Sequence, residues 1–363
     1  TWVATSNLSN NGTTVTTTAD MKINSKTVGK GAGSGTYSIA IGEGALNSNT
    51  TGNFNAALGD FTLYLNTTGS RNTASGNNTM RNNTTGSYNI ATGQVALYSN
   101  TTGSYNTASG YAALYRNTSG IRNTASGYQA LYSNTTGSYN TASGFAALYA
   151  NTTGKENTAS GMVALYSNTT GSYNTALGYY AGYSGNYSNS TAIGYQAPRT
   201  ASNQVRIGNS SVTSIGGYRA WTNVSDARFK KNIEEKVIGL DFIMALRPVT
   251  YNLDMDAIAN FHETPDSLRL EESERKAGEI LQTGFIAQEV ELAAKKLGYD
   301  FSGVDAPKND KDNYGLRYSE FVVPLVKAMQ EQQTLIQSQQ KINQDQLGMI
   351  QSQQAIIKDQ QAI

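Results

Sequence analysis

The sequence contains no cysteine and a single histidine, His262, in 363 residues. Without cysteine the chain has no disulfides, no thiolate zinc sites and no cysteine nucleophile. One histidine excludes a zinc site built from several histidines and leaves His262 as the sole candidate base for a Ser-His-Asp triad. The sequence contains no run of 18 apolar residues, so it predicts no membrane span. Bond-breaking chemistry would therefore rest on hydroxyls, amines and carboxylates, and neither a metal site nor a cofactor is predicted.

Charge is scarce and unevenly distributed. Only 15% of the residues are charged, 27 basic and 26 acidic, so no overall field favours nucleic acid or a membrane surface as a partner. Residues 1–224 hold 15 charged side chains, whereas residues 225–363 hold 38. The chain therefore joins two chemically different parts near residue 224. Abundant Gly, Ser, Thr and Asn without cysteine favour an extracellular or virion-borne fibre over a cytosolic enzyme.

A 17-residue repeat fills the first part. Glycines recur at this spacing over 42–178, and columns of alanine (40–176) and of leucine (46–165, with one methionine) run in register with them. The consensus unit reads N-T-A-S-G-Y-x-A-L-Y-x-N-T-T-G-S-Y. This length, without helical spacing, suits two short strands around A-S-G and A-L-Y, joined by an N-T-T-G turn. Stacked in register, such units predict a parallel β-solenoid.

Each coil supplies few aliphatic side chains, so a single rod has a thin core, and association of identical rods would bury its remaining faces. The residues that flank the alanine column become Ile39 and Ile41 in the first coil and Thr191 and Ile193 in the last. We interpret the larger aliphatics as end-caps of the stack. The segment G-K-G-A-G-S-G (29–35) lacks phosphate-loop spacing and is predicted to be a flexible lead-in.

Two repeat units carry a family resemblance. The sequences S-I-A-I-G (38–42) and S-T-A-I-G (190–194) resemble the N-S-x-A-I-G units of the left-handed parallel β-roll heads of YadA-like trimeric adhesins. The central coils depart from this pattern and read N-T-A-S-G. The resemblance covers residues 35–198 and implies a homotrimer.

Tyrosines form two ladders in the repeat, over 98–183 and 88–173. Stacked repeats produce ladders whatever their use, so structural stacking is the favoured interpretation. Aromatic rows with Asn and Thr also bind glycans by stacking on sugar faces, which keeps a cell-surface glycan as a candidate partner. The N-T-T turns match the N-glycosylation pattern, as any repeat built on this tripeptide must.

The repeat ends near residue 198, and a neck (199–224) with a strand-like run at 204–207 leads to N-V-S-D-A-R-F-K-K-N-I-E-E. Ser225 or Asp226 would cap a helix there. Three further segments follow in order: G-L-D-F-I-M-A-L-R-P-V-T-Y-N-L (239–253), T-G-F-I-A-Q-E-V-E (283–291) and Y-S-E-F-V-V-P-L-V-K-A-M-Q-E (318–331). Together these motifs resemble the peptidase S74 family over residues 224–332. That family is the intramolecular chaperone at the C-terminus of phage tailspikes and tail fibres.

The resemblance implies a self-cleaving trimerisation chaperone. The family signature S-D-x-R-L-K-x-N-I is retained, except that Phe229 replaces Leu. Carried over by position, Ser225 is the nucleophile and Lys230 the base of a Ser-Lys dyad, and the scissile bond is Val224–Ser225. A lysine with its usual pKa of about 10.4 is protonated at neutral pH, so desolvation in an assembled trimer would have to free the amine.

Two points stay open at the dyad. Lys230 could activate a water molecule instead of the Ser225 hydroxyl. Asp226 and Asn232 either orient the reacting groups or cap the helix, and capping is the favoured interpretation.

The remaining sequence reads as scaffold. Spacing over 286–298 predicts a short amphipathic helix, and 263–278 and 305–314 are predicted to be charged loops. From Glu320 onward the chain is predicted to be helical, with apolar pairs every seven residues as in a coiled coil. The predicted organisation is a lead-in (1–34), β-roll repeats (35–198), a neck (199–224), an S74-like domain (225–319) and a trimeric coiled coil (320–363).

These features predict a mainly β homotrimeric fibre with a small α+β chaperone domain that drives trimerisation and cleaves itself. It would attach to an upstream fibre, baseplate or surface anchor. One alternative is a tailspike that binds or depolymerises surface polysaccharide, but Glu43, Asp60 and Glu156 are the only carboxylates of the repeats and none is paired within a coil. Another is a shaft with an inactive, retained chaperone domain. A resemblance to myelin regulatory factor ranks last, because no basic DNA-binding segment or membrane span is present.

Overall fold

A computed structural model describes residues 8–10, 15–17, 20–23, 26–218 and 221–361. The chain forms two compact units, Thr1–Val212 and Thr213–Ile363. The described part of the first unit is built from strands and turns, and that of the second is mainly helical.

The first unit is a stack of coils joined by one sheet. Among the described residues this sheet has thirteen strands, which follow one another in chain order, and a separate hairpin pairs β1 with β2. The strands are β1 (Leu8–Asn10), β2 (Val15–Thr17), β3 (Met21–Ile23), β4 (Lys26–Gly29), β5 (Ile39–Gly42), β6 (Ala56–Leu58), β7 (Thr73–Ser75), β8 (Ile90–Thr92), β9 (Thr107–Ser109), β10 (Thr124–Ser126), β11 (Thr141–Ser143), β12 (Thr158–Ser160), β13 (Thr175–Leu177), β14 (Thr191–Ile193) and β15 (Val205–Ile207).

Strands β5 to β15 are all parallel and in register, so that alanine pairs with alanine from β5 to β14. The hairpin β3–β4 adds to the first coil in the antiparallel sense. The predicted parallel β-roll of 17-residue coils is therefore confirmed. The sheet also includes the strand-like run at 204–207, as β15, beyond the residue at which the sequence period ends.

Each coil contains one short strand rather than the two predicted. The A-L-Y segment is a corner, because its leucine has a left-handed backbone, as at Leu114 (φ 52°) and Leu131 (φ 53°). This conformation costs about 1–2 kcal/mol for a residue with a Cβ. Both leucines are fully buried, and burial of a leucine side chain stabilises by about 1.5–3 kcal/mol. Burial of the leucine column thus stabilises the left-handed backbone conformation at the corners.

Glycine follows each central strand because adjacent coils approach too closely there for a side chain. Gly110 has φ 133°, and a Cβ on it would lie 2.4 Å from the carbonyl oxygen of Gly127 in the next coil. The 17-residue glycine period is therefore a packing requirement of the stack.

Two ladders of buried asparagine line the interior beside the alanine and leucine columns. One contains the asparagine of each N-T-T-G turn (49–168) and the other the asparagine before each strand (55–174), all at most 2% exposed. In the first ladder, Nδ2 of Asn134 donates to Oδ1 of Asn117, one coil earlier, at 2.7 Å. Sequence reasoning assigned these asparagines to turn geometry and missed their burial. The same burial closes the N-T-T asparagines to glycosylation in the folded roll.

Replacing Asn134 with alanine should lower the free energy of unfolding by on the order of 3 kcal/mol, because buried polar groups lose their partners. Its Nδ2 donates to Asn117 and to the Gly137 carbonyl, and its Oδ1 accepts from Asn151. Thr136→Ala, at an exposed position of the same turn, should change stability by less than about 0.5 kcal/mol. Thermal melting followed by far-UV circular dichroism measures both. Equal shifts would contradict the role of the ladder.

The predicted end-caps are wrong. Ile39 is 55% exposed and Ile41 is 45% exposed, because both point away from the interior on either side of a buried alanine. The predicted flexible lead-in is also ordered against the first coil. The backbone N–H of Ala32 donates to the carbonyl of Leu46 at 3.1 Å, and a Cβ on Gly33 would lie 2.1 Å from the carbonyl oxygen of Asn49.

Arg199 closes the other end of the roll. It is 3% exposed, and its guanidinium donates to the carbonyls of Gly182 and Gly185 at 3.0 Å. Gly182 occupies the next position of the leucine column, and a Cβ there would lie 2.7 Å from Nε of Arg199. The arginine thus fills the space of the missing leucine and satisfies carbonyls of the last coil. Desolvation by burial lowers the pKa of Arg199 to about 10.

The second unit packs helices around an aromatic core made of Phe242, Phe301, Phe321 and Val290. Its elements are α1 (Leu240–Ala245), β16 (Val249–Tyr251), α2 (Met255–Phe261), α3 (Glu271–Glu279), β17 (Gln282–Gly284), α4 (Ala287–Lys296), β18 (Val304–Asp305), β19 (Gly315–Leu316) and α5 (Val322–Gln361). Strand β16 pairs with β17, and β18 pairs with β19, both antiparallel.

Most of the scaffold predictions for this unit hold. The amphipathic helix is α4, followed by Gly298 at φ 63°, and the long C-terminal helix is α5. The predicted charged loop 263–278 is wrong, because most of α3 lies in it. Arg275 of α3 forms ion pairs with Glu272 and Glu279 one turn away on either side, which stabilises a helix with little apolar surface.

Candidate functional site

Residues 213–239 begin the second unit, and their described part is mostly exposed. It contains a single 3-10 turn, Ala227–Phe229. The turn carries the S-D-A-R-F-K motif, so the candidate site lies on an irregular segment and not on the packed helices.

The turn brings the two candidate catalytic groups together. Nζ of Lys230 donates to Oγ of Ser225 at 2.9 Å. The carboxylate of Asp226 accepts from the backbone N–H of Arg228 at 2.9 Å, which closes the turn. Lys230 follows in an extended conformation (φ −100°, ψ 135°). A separation of five residues therefore becomes a direct contact between hydroxyl and amine.

Asp226 caps this single turn rather than the start of a helix. Its carboxylate also accepts from the Arg228 guanidinium at 2.6 Å, and this hydrogen bond lowers the pKa of Asp226. The side-chain hydrogen bonds described for Asp226 thus run to Arg228 and not to Ser225 or Lys230. Asn232 has a left-handed backbone (φ 52°), which bends the chain after the motif. Sequence reasoning missed the pairing of Asp226 with Arg228, although their spacing was visible.

The pair lies on an exposed segment, and three large apolar side chains near it in sequence are exposed as well. Val224 is 82% exposed, Phe229 is 72% exposed and Ile233 is 75% exposed. Ser225 and Lys230 are exposed as well. Large apolar side chains that project into water are suited to being covered by another surface.

The end of the segment is fixed on α5. The backbone N–H of Leu240, at the start of α1, donates to Oε2 of Glu331 at 2.7 Å. A Cβ on Gly239 would lie 2.6 Å from the backbone nitrogen of Ala328, so glycine permits this close approach. The segment that carries the pair is thus anchored to the long helix.

Two of the three carboxylates of the roll are paired with one lysine. Glu43 and Asp60, one coil apart, share an ion-pair partner in Lys26 of β4, a contact that the sequence did not reveal. The hydrogen bond from Lys26 lowers the pKa of Asp60, whereas a general acid needs a raised one. This cluster ties the β3–β4 hairpin to the first coils.

The rings of the first aromatic ladder stack face to face along the roll. Tyr115 and Tyr132 stack with centroids 5.1 Å apart and planes 4° apart, and the pattern continues along the ladder. In the second ladder Arg122 inserts its guanidinium between Tyr105 and Tyr139. A sugar ring cannot enter between faces at this spacing, since stacked partners need about the same distance on each side. The geometry supports structural stacking.

His262 caps the C-terminus of α2 and stacks edge-on against Phe261. Over the described ranges, no group of three His, Asp or Glu side chains could hold a metal ion. Within the same ranges, no helix is long and apolar enough to cross a membrane.

The fold and the site define a class: a parallel β-roll followed by a helical domain that opens with a Ser–Lys pair. Residues 225–299 match the family model of peptidase S74, described as chaperone of endosialidase. The match covers about a fifth of the chain and confirms the predicted relationship for the region after residue 224. It begins at Ser225. No curated protein and no solved structure matches the chain.

Proposed function

We propose that the chain is a homotrimeric extracellular or virion fibre whose C-terminal domain drives trimerisation and then cleaves the Val224–Ser225 bond. The contact of 2.9 Å between Lys230 and Ser225 carries the proposal. The start of the family match supports the assignment of the cleavage site, because the match begins at Ser225, the residue after the proposed scissile bond. The product 1–224 would be the mature roll, attached to an upstream fibre, baseplate or surface anchor.

The proposed chemistry uses groups of this chain alone. The neutral amine of Lys230 takes the hydroxyl proton of Ser225, and Oγ attacks the carbonyl carbon of Val224. The peptide C–N bond breaks as the lysine returns the proton to the Ser225 nitrogen, which leaves the Val224 acyl group as an ester on Oγ. Water then hydrolyses the ester, giving the Val224 carboxylate and the free hydroxyl of Ser225. The route in which Lys230 activates water directly reaches the same products.

In this proposal, assembly removes the Lys230 amine from water, which the single chain does not do. A protonated lysine is not a base, and removal from water favours its neutral form. The pair is exposed in one chain, and three large apolar side chains close to it in sequence are exposed too. The helix α5 repeats exposed apolar residues every seven positions, including Leu335, Ile342 and Met349. Such a stripe is buried by other copies in a coiled coil. We infer that association through α5 covers the pair and switches on cleavage.

Charges in the α5 stripe should block both assembly and cleavage. A chain with Leu335→Lys and Ile342→Lys should be monomeric by light scattering and should remain uncleaved, because lysines in a coiled-coil seam oppose association. The matched control has Gln337→Lys and Gln344→Lys, which add the same charge on the opposite side of the helix. The control should assemble and cleave like the wild type. Cleavage of a monomeric variant at the wild-type rate would refute the coupling.

A further inference from the structure

The second aromatic ladder continues from residue 88 towards the first coil, so that it forms one column over 37–173. Its members, one in each coil, share a left-handed backbone with φ between 54° and 61°. Where two aromatic members are neighbours they stack, as at Tyr88 and Tyr105, whose ring centroids are 4.9 Å apart. Because the spacing of the strands sets this distance, members two coils apart are about 10 Å apart. The column therefore has room for one flat group between two such rings.

Two members of the column are arginines, and each places its guanidinium between two rings. Cζ of Arg122 lies 5.7 Å from the ring centroid of Tyr105 and 5.3 Å from that of Tyr139. Arg71 lies in the same way between the rings one coil before and one coil after it. Each arginine also donates to the hydroxyl of the tyrosine one coil later. A space of one coil between two rings of this column is therefore suited to a guanidinium.

Glu156 occupies the position between Tyr139 and Tyr173 and reverses the charge. The backbone N–H of Glu156 donates to the carbonyl of Ser138 at 3.1 Å, and that of Tyr173 donates to Lys155 at 3.0 Å, so the coils stack regularly here. Within the part of the chain that the structure describes, the Glu156 carboxylate has neither a hydrogen bond nor an ion pair. Tyr173 is 61% exposed and Tyr139 is 46% exposed. We call these two tyrosines and the carboxylate between them the Glu156 slot.

The chemistry of the Glu156 slot favours a planar cation. A glutamate side chain is two bonds shorter than that of arginine, so it does not reach as far between the rings as Arg122 does. A guanidinium in the slot would meet two rings and pair with the carboxylate through two parallel N–H···O bonds. An ammonium group is compact and strongly hydrated, and it lacks the planar shape that stacks on rings. A neutral ligand forms no ion pair.

We propose that the Glu156 slot binds a guanidinium group from outside the chain, carried by an arginine side chain of a partner protein or by a small molecule. The column itself provides the precedent, because it holds the chain's own guanidinium groups at 71 and 122. At 156 the chain supplies the counter-charge instead. The slot lies within the roll and does not depend on trimerisation or cleavage.

Saturation-transfer difference NMR on the full chain, with N-acetyl-argininamide as the probe, tests the slot. We expect saturable binding, and binding of N-acetyl-lysinamide at least about fivefold weaker. Glu156→Gln should weaken binding about threefold to fivefold, as expected for an exposed ion pair. Glu156→Arg should abolish it, because the chain's own guanidinium then fills the slot. Free arginine distinguishes the sources of the group: equal binding indicates a small molecule, and weaker binding indicates a protein side chain.

A gain of binding provides the matched test. Arg122→Glu removes the guanidinium between Tyr105 and Tyr139 and creates a second slot of the same composition, so the signal at saturation should rise about twofold. Thr136→Glu adds a carboxylate at an exposed turn outside the column and should leave the signal unchanged. Lys155→Ser removes the like charge beside the slot and should strengthen binding about twofold.

Three results would overturn the assignment. Unchanged binding in both Glu156→Gln and Glu156→Arg would place the guanidinium elsewhere on the chain. Equal affinity for the arginine and lysine probes would reduce the interaction to charge attraction without a role for the rings. No saturable binding of the arginine probe to the wild-type chain would exclude the site. Thermal melting of each variant close to that of the wild type shows that the roll is folded in every comparison.

Discussion

A chain carrying Ser225→Ala remains a single species of 38.8 kDa on a denaturing gel, whereas the wild-type chain separates into fragments 1–224 and 225–363. We expect the cleavage rate to fall by at least about 10³-fold, the usual effect of removing a catalytic nucleophile. The alanine removes only Oγ, the atom that Lys230 contacts at 2.9 Å, so assembly should be unchanged. Intact mass spectrometry of the purified protein over time measures the result.

Lys230→Arg provides the matched test of the base. Arginine keeps the positive charge and can still donate to Ser225, but it stays protonated in proteins and cannot accept the hydroxyl proton. This variant should therefore assemble like the wild type and cleave as poorly as Ser225→Ala. Hydroxylamine distinguishes the two chemical routes, because it traps an ester at Val224 as a hydroxamate and accelerates cleavage only if Oγ has attacked.

Some results would contradict this scheme. Fragments of the same size and rate from wild type and Ser225→Ala would exclude the serine as nucleophile and leave Lys230-activated water as the route. An intact wild-type trimer after long incubation at neutral pH would favour a retained, inactive chaperone domain. A cut at another bond would remove the assignment of Val224–Ser225.

The repeat allowed much of the roll to be predicted from sequence, because stacking in register turns each column of letters into a column in space. The columns of Ala125 and Leu131 lie inside, as expected. The strand count was wrong, since the alternation in A-L-Y looks like a strand while Leu131 bends the chain with a positive φ. Whether such a residue is extended or left-handed depends on burial in the next coil, which one repeat unit does not show.

The ends of the roll were predicted less well because they break the repeat. A large aliphatic residue at an end can face inward or outward, and a strand's alternation decides which. Ile39 and Ile41 flank a buried alanine and must therefore face out. Arg199 was overlooked because a charged residue is rarely buried without an acidic partner. Its donors meet backbone carbonyls of Gly182 and Gly185, which no sequence pattern marks.

At the site, the sequence identified the candidate residues, and the structure showed that they are in contact. The motif spacing placed Ser225 and Lys230 five residues apart, and only the turn closed by Asp226 shows that they meet. The ion pair between Asp226 and Arg228 is a local consequence of the same turn. Desolvation of the pair could not be predicted, because it depends on surfaces supplied by other copies.

Removing residues 225–363 from the gene should leave the roll unable to assemble, with soluble yield lower by more than about tenfold as exposed sheet surfaces aggregate. The sequence of the roll specifies the register between copies only weakly, because its central strands present identical rows of Thr and Ser outward. Slippage between equivalent coils changes few contacts there, so the register between copies is weakly specified. The second unit has no sequence repeat, so its aromatic core and its helix α5 allow only one register. We expect it to align the copies before the rolls meet.

The sharpest control is the same polypeptide, 1–224, reached by another route. When the full chain folds first and residues 225–363 are then removed, by the chain itself or at an inserted protease site, the released roll should remain a soluble trimer. The two samples would be identical in sequence and different in state, so the contribution of the second unit would lie in the folding pathway. Aggregation of the released roll would instead make residues 225–363 a permanent stabiliser. A soluble trimer from the truncated gene would show that the roll finds its register unaided, and the chaperone role would be lost.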